Sequence, residues 1–102
     1  MEIQIKKAIT FKEKLLGLMF KKTFKDNLLL QNCSSIHTFW MRFSIDIICL
    51  NKKNVIIQII RNIRPYHIFI APKGTNSIIE TQNNINSFNN FKVGNQLTLK
   101  EK

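Results

Sequence analysis

Short runs of β-branched and other large apolar side chains, separated by polar turns, dominate the chain after residue 27. The two clearest runs are IDIICL at 45–50 and VIIQII at 55–60, and a polar four-residue connection at 51–54 joins them. Runs of this length and composition are typical of strands, and a short polar connection between two of them is typical of a β-hairpin. Because each run is apolar on both faces, we expect this hairpin to lie at the centre of a sheet.

The same pattern predicts further strands, and one segment near the start has a helical period instead. The further strands fall at 2–9, 28–30, 36–43, 67–70, 77–81 and 96–100. Thr10 and Glu13 form a capping-box pattern, and apolar residues recur at helical spacing from Phe11, so we expect one short helix over about 11–20. The chain is therefore predicted to be mainly β, as a small antiparallel barrel or a two-sheet sandwich with one short N-terminal helix.

The length of 102 residues suits one domain, which we expect to span residues 1–102. No run approaches the roughly 18 apolar residues that a membrane span requires, and the first residues alternate in polarity where a signal peptide has an apolar stretch. These features predict a cytoplasmic protein without a membrane span. Two cysteines, Cys33 and Cys49, are too few to indicate a disulfide scaffold.

The chain is strongly basic, with 16 Lys and Arg residues against 6 Asp and Glu residues and a formal net charge of +10. Positive charge is densest in the first 25 residues, which carry seven of the lysines. A surplus of this size attracts polyanions without sequence preference. We interpret these lysines mainly as a solvated face. The first alternative function is that of a nucleic-acid-associated accessory protein, which would bind nucleic acid weakly and non-specifically.

The densest group of functional residue types lies within 33–46, where the strand at 36–43 is expected to present two different faces. Alternate residues of a strand share a face, with His37, Phe39, Met41 and Phe43 on one side and Thr38, Trp40 and Arg42 on the other. An indole beside a guanidinium can hold a planar or anionic ligand by stacking and forked hydrogen bonds. The structural alternative is an indole that packs in the core.

Asp46 and Glu80 are carboxylates within otherwise apolar predicted strands. A buried carboxylate needs a partner, and we expect Arg42 and Asp46 to face each other at one end of the central hairpin. Together these features predict a pocket for a small polar or anionic ligand, lined by His37, Trp40, Arg42, Asp46 and Glu80. A second alternative function is a hydrolase-like enzyme in which Asp46, Glu80 and His37 converge for acid–base chemistry.

Metal and cofactor sites have little support in the sequence. Three residues separate Cys33 from His37, but no second ligand pair at zinc-like spacing follows them. The glycine-rich phosphate loop and the HExxH motif are both absent. We therefore predict neither a metal nor a cofactor, and non-enzymatic binding of a small ligand is the leading function, with enzymatic activity left open.

Four short motifs occur in an order that resembles a known family. They are Gly17-Leu18-Met19-Phe20, Phe39-Trp40-Met41-Arg42 followed by Asp46, Ile79-Glu80, and Lys92-Val93-Gly94-Asn95. Their order and spacing, over about residues 8–100, resemble the prokaryotic family known as domain of unknown function 192. The resemblance implies a compact β-barrel or sandwich with a short helix, and it implies no established activity.

Overall fold

Eight strands form in the part of the chain that the computed structural model describes, namely residues 1–8, 21–84, 88 and 90–101. They are β1 (Glu2–Lys7), β2 (Leu28–Gln31), β3 (Ser35–His37), β4 (Ile45–Leu50), β5 (Ile56–Ile63), β6 (Ile68–Ile70), β7 (Ser77–Gln82) and β8 (Thr98–Glu101). These residues contain no helix, and so none that could cross a membrane. The helix predicted over about 11–20 lies outside the described residues. The prediction of a mainly β chain is confirmed.

Six of the strands form one sheet in the order β5-β4-β7-β2-β1-β8, and β3 and β6 form a second, two-stranded sheet. The predicted hairpin is present as the antiparallel pair β4 and β5. β4 lies inside the sheet, and all six of its side chains are buried. β5 is an edge strand with two register shifts against β4, so the expected central position holds for β4 alone. Such irregularities are common on edge strands, because they hinder pairing with another chain.

The larger sheet is mixed, because β1 pairs in parallel with both β2 and β8. A parallel pair needs a long connection, and the segment 8–27 between β1 and β2 provides one. The sheet also keeps β5 and β8 as its edges. An isolated bridge joins Val55 to Gln96 near these edges, but no ladder closes the sheet among the described residues. The expectations of a closed barrel and of purely antiparallel pairing are therefore wrong, and the structure contains two sheets.

Both faces of the six-stranded sheet carry a hydrophobic core. We call the front face the one to which Ile47 and Cys49 point, and the back face the one to which Ile48 points. The β3–β6 sheet packs on the front face through Ile36 and Phe69. The back-face core is completed by residues outside the strands, namely Phe88 and Leu97.

The segment predicted as one strand over 36–43 is a strand only as far as His37. After His37 the chain turns, and the burial of its side chains no longer alternates in the predicted way. Thr38 and Met41 are buried, whereas Trp40 and Arg42 are exposed. The predicted division of this segment into two faces is therefore wrong. The physical reason is that the chain turns after Thr38. Its amide still donates to His67, one position beyond the β3–β6 ladder, but its carbonyl accepts from the amides of Met41 and Tyr66.

Candidate functional site

Thr38 joins two loops that are far apart in the sequence. Its side chain is 1% exposed. The hydroxyl donates to the carbonyl oxygen of Arg64 at 2.7 Å and accepts from the amide of His67 at 2.8 Å. The backbone of Thr38 adds two bonds, since its amide donates to His67 and its carbonyl accepts from Tyr66. The loop at 38–43 is thereby held against the loop at 64–67.

Trp40 and Tyr66 are the large side chains that these two loops present to solvent. They are 54% and 58% exposed, and their ring centroids are 5.8 Å apart at an interplanar angle of 71°. Both residues have positive φ angles, 63° for Trp40 and 67° for Tyr66. A bulky residue in the left-handed region is strained by about 1–3 kcal/mol, and such strain persists only where the surrounding structure enforces it. The hydrogen bonds of Thr38 provide that enforcement.

Two further rings extend this pair into a row. Phe39 lies 6.3 Å from Tyr66, and His37 stacks on Phe39 at 5.4 Å between centroids. The amide of Phe39 donates to Nδ1 of His37 at 3.2 Å, which fixes the orientation of the imidazole beside Phe39. We call the row of His37, Phe39, Tyr66 and Trp40 the aromatic ledge.

Two arginines lie next to the aromatic ledge in the sequence, and both are exposed. Arg42 follows Trp40 by two residues, and Arg64 precedes Tyr66 by two residues. The ion pairs among the described residues are both between β1 and β8, and neither includes an arginine. The expectation that Arg42 faces Asp46 is therefore wrong.

Asp46 lies on the back face, where it accepts a hydrogen bond from an irregular part of β5. It is 3% exposed, and its Oδ1 accepts from the backbone amide of Asn62 and from the side-chain amide of Asn83, both at 2.8 Å. The register between β4 and β5 shifts at this point, and Asn62 has a φ of 59°. The buried carboxylate thus accepts a hydrogen bond from the amide of Asn62, at the place where the register of β5 against β4 is irregular.

Glu80 lies on the front face, where its register partners are Leu28 on β2 and Ile47 on β4. It is 2% exposed, and its Oε2 has no hydrogen-bond partner among the described residues. Burial raises the pKa of Glu80 to about 8, because the charged form would lose its hydration. Glu80 is therefore mainly a neutral acid at pH 7.

The structure places two of the five predicted site residues, His37 and Trp40, in the aromatic ledge, and it separates the two carboxylates from each other. Arg42 is exposed two residues after Trp40 in the sequence. Asp46 pairs with Thr81 on the back face and Glu80 with Ile47 on the front face, so the two carboxylates point to opposite sides of the sheet. The convergence of Asp46, Glu80 and His37 that a hydrolase would require does not occur.

Sequence reasoning missed Tyr66 as the ring partner of Trp40, and it missed that Thr38 binds the loop that carries Arg64. All three arginines of the chain, at 42, 61 and 64, fall in the segments around these loops, while the other basic residues are lysines. That uneven use of arginine was a signal in the sequence. The contact between the two loops had no signal in the sequence, because it depends on the pairing of β3 with β6.

A separate cleft of about 280 Å³ is formed by residues 30–35 and includes the half-buried Cys33. Cys49 is buried in the front-face core, and this burial raises the pKa of its thiol to about 11. A thiol with such a pKa is a poor nucleophile at neutral pH. Among the described residues, no three His, Cys, Asp or Glu side chains are grouped as a metal site would require.

Two solved structures share this fold. One is a protein of unknown function from Novosphingobium aromaticivorans DSM 12444, with 19% identity, a TM-score of 0.76, and coverage of 90% of this chain and 71% of that chain. The other, from Sinorhizobium meliloti 1021, is described as a "putative transcription regulator", with 14% identity, a TM-score of 0.77, and coverage of 90% and 78%. At these identities the likeness shows the fold alone.

No curated protein matches the chain. A family model does, over nearly its whole length: residues 1–99 match DUF192, a family described as "Uncharacterized ACR". This match confirms the resemblance that the four ordered motifs indicated. The chain belongs to the DUF192 family.

Proposed function

We propose that the protein binds a small ligand that carries both a planar ring and an anionic group, at the aromatic ledge and beside Arg42 and Arg64. Asp46 and Glu80 are not part of the proposed site. Asp46 is engaged by β5, and Glu80 lies within the front-face core. The proposed activity is binding without catalysis.

The observation that carries this proposal is the strained and exposed pair Trp40 and Tyr66. Each residue is more than half exposed and has a positive φ, although smaller residues would fit such positions with less strain. An exposed ring on a strained backbone contributes little to the stability of the fold. Strain of this kind clusters at binding sites, where it sets side chains in place before the ligand arrives.

The charges around the aromatic ledge favour an anion. Between residues 27 and 79, Asp46 is the single acidic residue of the sequence, and it is buried. Arg42, Arg61 and Arg64 are exposed in the same stretch. A guanidinium can donate two parallel hydrogen bonds to a phosphate or carboxylate, and its planar group can stack on an aromatic ring.

The fluorescence of Trp40 provides a direct test, because Trp40 is the single tryptophan of the chain. The protein is titrated with adenosine 5′-monophosphate and benzoate, which have a ring and an anionic group. Adenosine and inorganic phosphate, which have only one of the two, are the controls. We expect the ring-bearing anions to quench Trp40 and to bind about tenfold more tightly than either control, since each additional anchor contributes roughly 1.4 kcal/mol.

Variants separate a specific site from general attraction to a basic protein. Arg42→Gln is expected to weaken binding of adenosine 5′-monophosphate about fivefold to tenfold. Lys53→Gln removes the same charge from the exposed β4–β5 turn, at the opposite end of the hairpin, and is expected to change nothing. Equal losses in both variants, or controls that bind as well as the ring-bearing anions, would refute the proposed site.

A further inference from the structure

We infer that the ligand of the aromatic ledge is a stretch of single-stranded nucleic acid, DNA or RNA, with at least two bases stacked on the exposed rings. This inference rests on the proposed function and extends its ligand from a small molecule to a polymer, because each nucleotide of a strand carries a planar base and an anionic phosphate. It also moves the nucleic-acid contact away from the lysines of the first 25 residues, where the charge distribution of the sequence had placed it.

The length of the aromatic ledge is the first reason. Its four rings follow one another at centroid separations of 5.4, 6.3 and 5.8 Å, so a single base covers only part of the row. Proteins that bind single strands use successive aromatic side chains as platforms for successive bases. A row of this length therefore suits a ligand with more than one ring.

The outer surface of the β3–β6 sheet continues the row. His37 pairs with Ile68, and Ser35 pairs with Ile70, so these side chains share one face of the small sheet. The opposite face packs on the core through Ile36. Ile68 and Ile70 are 67% and 77% exposed. His37 belongs both to the aromatic ledge and to this face, and the two together form one extended apolar strip.

The charge beside the strip favours a polyanion. Arg42 and Arg64 are exposed two residues from Trp40 and Tyr66 in the sequence, and Lys73 is exposed three residues after Ile70. No exposed acidic residue occurs between residues 27 and 79. An acidic protein would also be attracted to these cations. The exposed, preset aromatic rings favour nucleic acid instead, because bases stack on them and arginines can hold the intervening phosphates.

A single strand fits better than a duplex. In a duplex the faces of the bases are stacked on one another and cannot reach Trp40 or Tyr66. In a single strand the bases turn outward and stack on aromatic side chains. The expected ligand is therefore an unpaired segment, in RNA or in DNA.

The test uses single strands of roughly 12 nucleotides, made as DNA and as RNA of one sequence. Two polyanions are the controls: the matching duplex, whose bases are stacked inside, and heparin, which has no bases. Quenching of Trp40 and the anisotropy of a labelled strand are measured. We expect one or both single strands to quench Trp40 and to bind at least tenfold more tightly than the duplex or heparin. Affinity is expected to fall steeply as salt is added.

Tyr66 gives the matched variants, because it is the single tyrosine of the chain and leaves the Trp40 signal intact. Tyr66→Asn removes the ring but suits a positive φ, so the fold is expected to persist, as a thermal melt will verify. We expect this variant to weaken single-strand binding at least fivefold, and Tyr66→Phe to retain it. Lys53→Gln is again the charge control.

The outcomes distinguish this inference from the proposed function. If adenosine 5′-monophosphate binds at the aromatic ledge but a single strand binds no more tightly, the ligand is a monomer and the inference fails alone. If heparin, polyglutamate or duplex competes as well as a single strand, or if Tyr66→Asn binds normally, stacking is refuted. If no compound changes the fluorescence of Trp40, the inference and the proposed function both fail.

Discussion

Glu80 is an unusual residue for the interior of this sheet, since its neighbours on adjacent strands, Leu28 and Ile47, are apolar. Its pKa rises from the ordinary 4.5 to about 8 because of burial. The unfolded chain therefore loses the proton of Glu80 at a lower pH than the folded protein does. Between pH 4.5 and 8 the folded protein binds more protons at this group, so the contribution of Glu80 to the free energy of unfolding falls as pH rises, and it levels off above pH 8.

Glu80→Gln is expected to remove this part of the pH dependence, because the amide does not titrate. At pH 5 we expect the variant and the wild type to differ by no more than about 2 kcal/mol. At pH 9 the variant should be more stable by a few kcal/mol, since it avoids burying a charge. Urea denaturation of both proteins at several pH values measures the difference between their free energies of unfolding. The contributions of the histidines and of the other titrating groups are the same in both proteins and cancel in this difference. Parallel curves for the two proteins would contradict the shifted pKa.

At the scale of single residues, the sequence identified Trp40 and Arg42 as ligand-binding candidates from their chemistry alone. The sequence could not show that Trp40 and Arg42 lie in a loop, where their exposure does not come from the alternation of a strand. Thr38 satisfies its hydrogen bonds with Arg64 and His67, and the chain turns as a result. The partner Tyr66 lies 26 residues beyond Trp40, so only the tertiary fold brings their rings together.

At the scale of elements, Asp46 connects the irregular edge strand β5 to the loop that follows β7. It does so by accepting from Asn62 on β5 and from Asn83 after β7. A buried carboxylate in this position explains how β5 can depart from regular pairing while the amide of Asn62 keeps a hydrogen-bond acceptor.

Asp46→Ala is expected to destabilise the protein by about 2–4 kcal/mol, because both amides lose a charged acceptor. Asp46→Asn retains a carbonyl acceptor and should cost less. Glu101→Ala provides the contrast, since it removes an equal charge from an exposed ion pair with Lys7 and should cost no more than about 1 kcal/mol. Chemical denaturation measures all three. A loss for Asp46→Ala as small as that for Glu101→Ala would show that the carboxylate does not support β5.

The strands themselves were largely predictable, because runs such as 45–50 and 77–81 are apolar enough to indicate their own conformation. Their partners were less predictable. β1 alternates in polarity as an antiparallel strand would, yet both of its neighbours run parallel to it. Alternation reports which face of a strand is buried and does not report its direction relative to a neighbour. The edge position of β5 was hidden for a similar reason, since its apolar residues are half-buried at the rim of two cores.

At the scale of the whole molecule, the net charge of +10 is expected to act in opposite directions on stability and on the proposed binding of an anionic ligand. The protein measures 31 Å along its longest axis, which is about the Debye length at an ionic strength of roughly 0.01 M. At that ionic strength the basic side chains repel one another across the whole molecule, and the folded state is destabilised by the repulsion. The ion pairs that β1 makes with β8 are largely exposed and offset little of it.

Added salt is therefore expected to stabilise the fold while it weakens the binding of an anionic ligand. We expect the melting temperature to rise by a few degrees between roughly 0.01 M and 0.2 M NaCl, because screening shortens the reach of each charge to about 10 Å or less. A variant with Lys22→Gln, Lys53→Gln and Lys92→Gln, all exposed positions, should melt at a higher temperature in low salt and respond less to salt. A melting temperature that falls with salt would mean that attraction between specific pairs outweighs the general repulsion. In that case the surplus of lysine would have to be interpreted as part of the fold rather than as a surface that attracts polyanions.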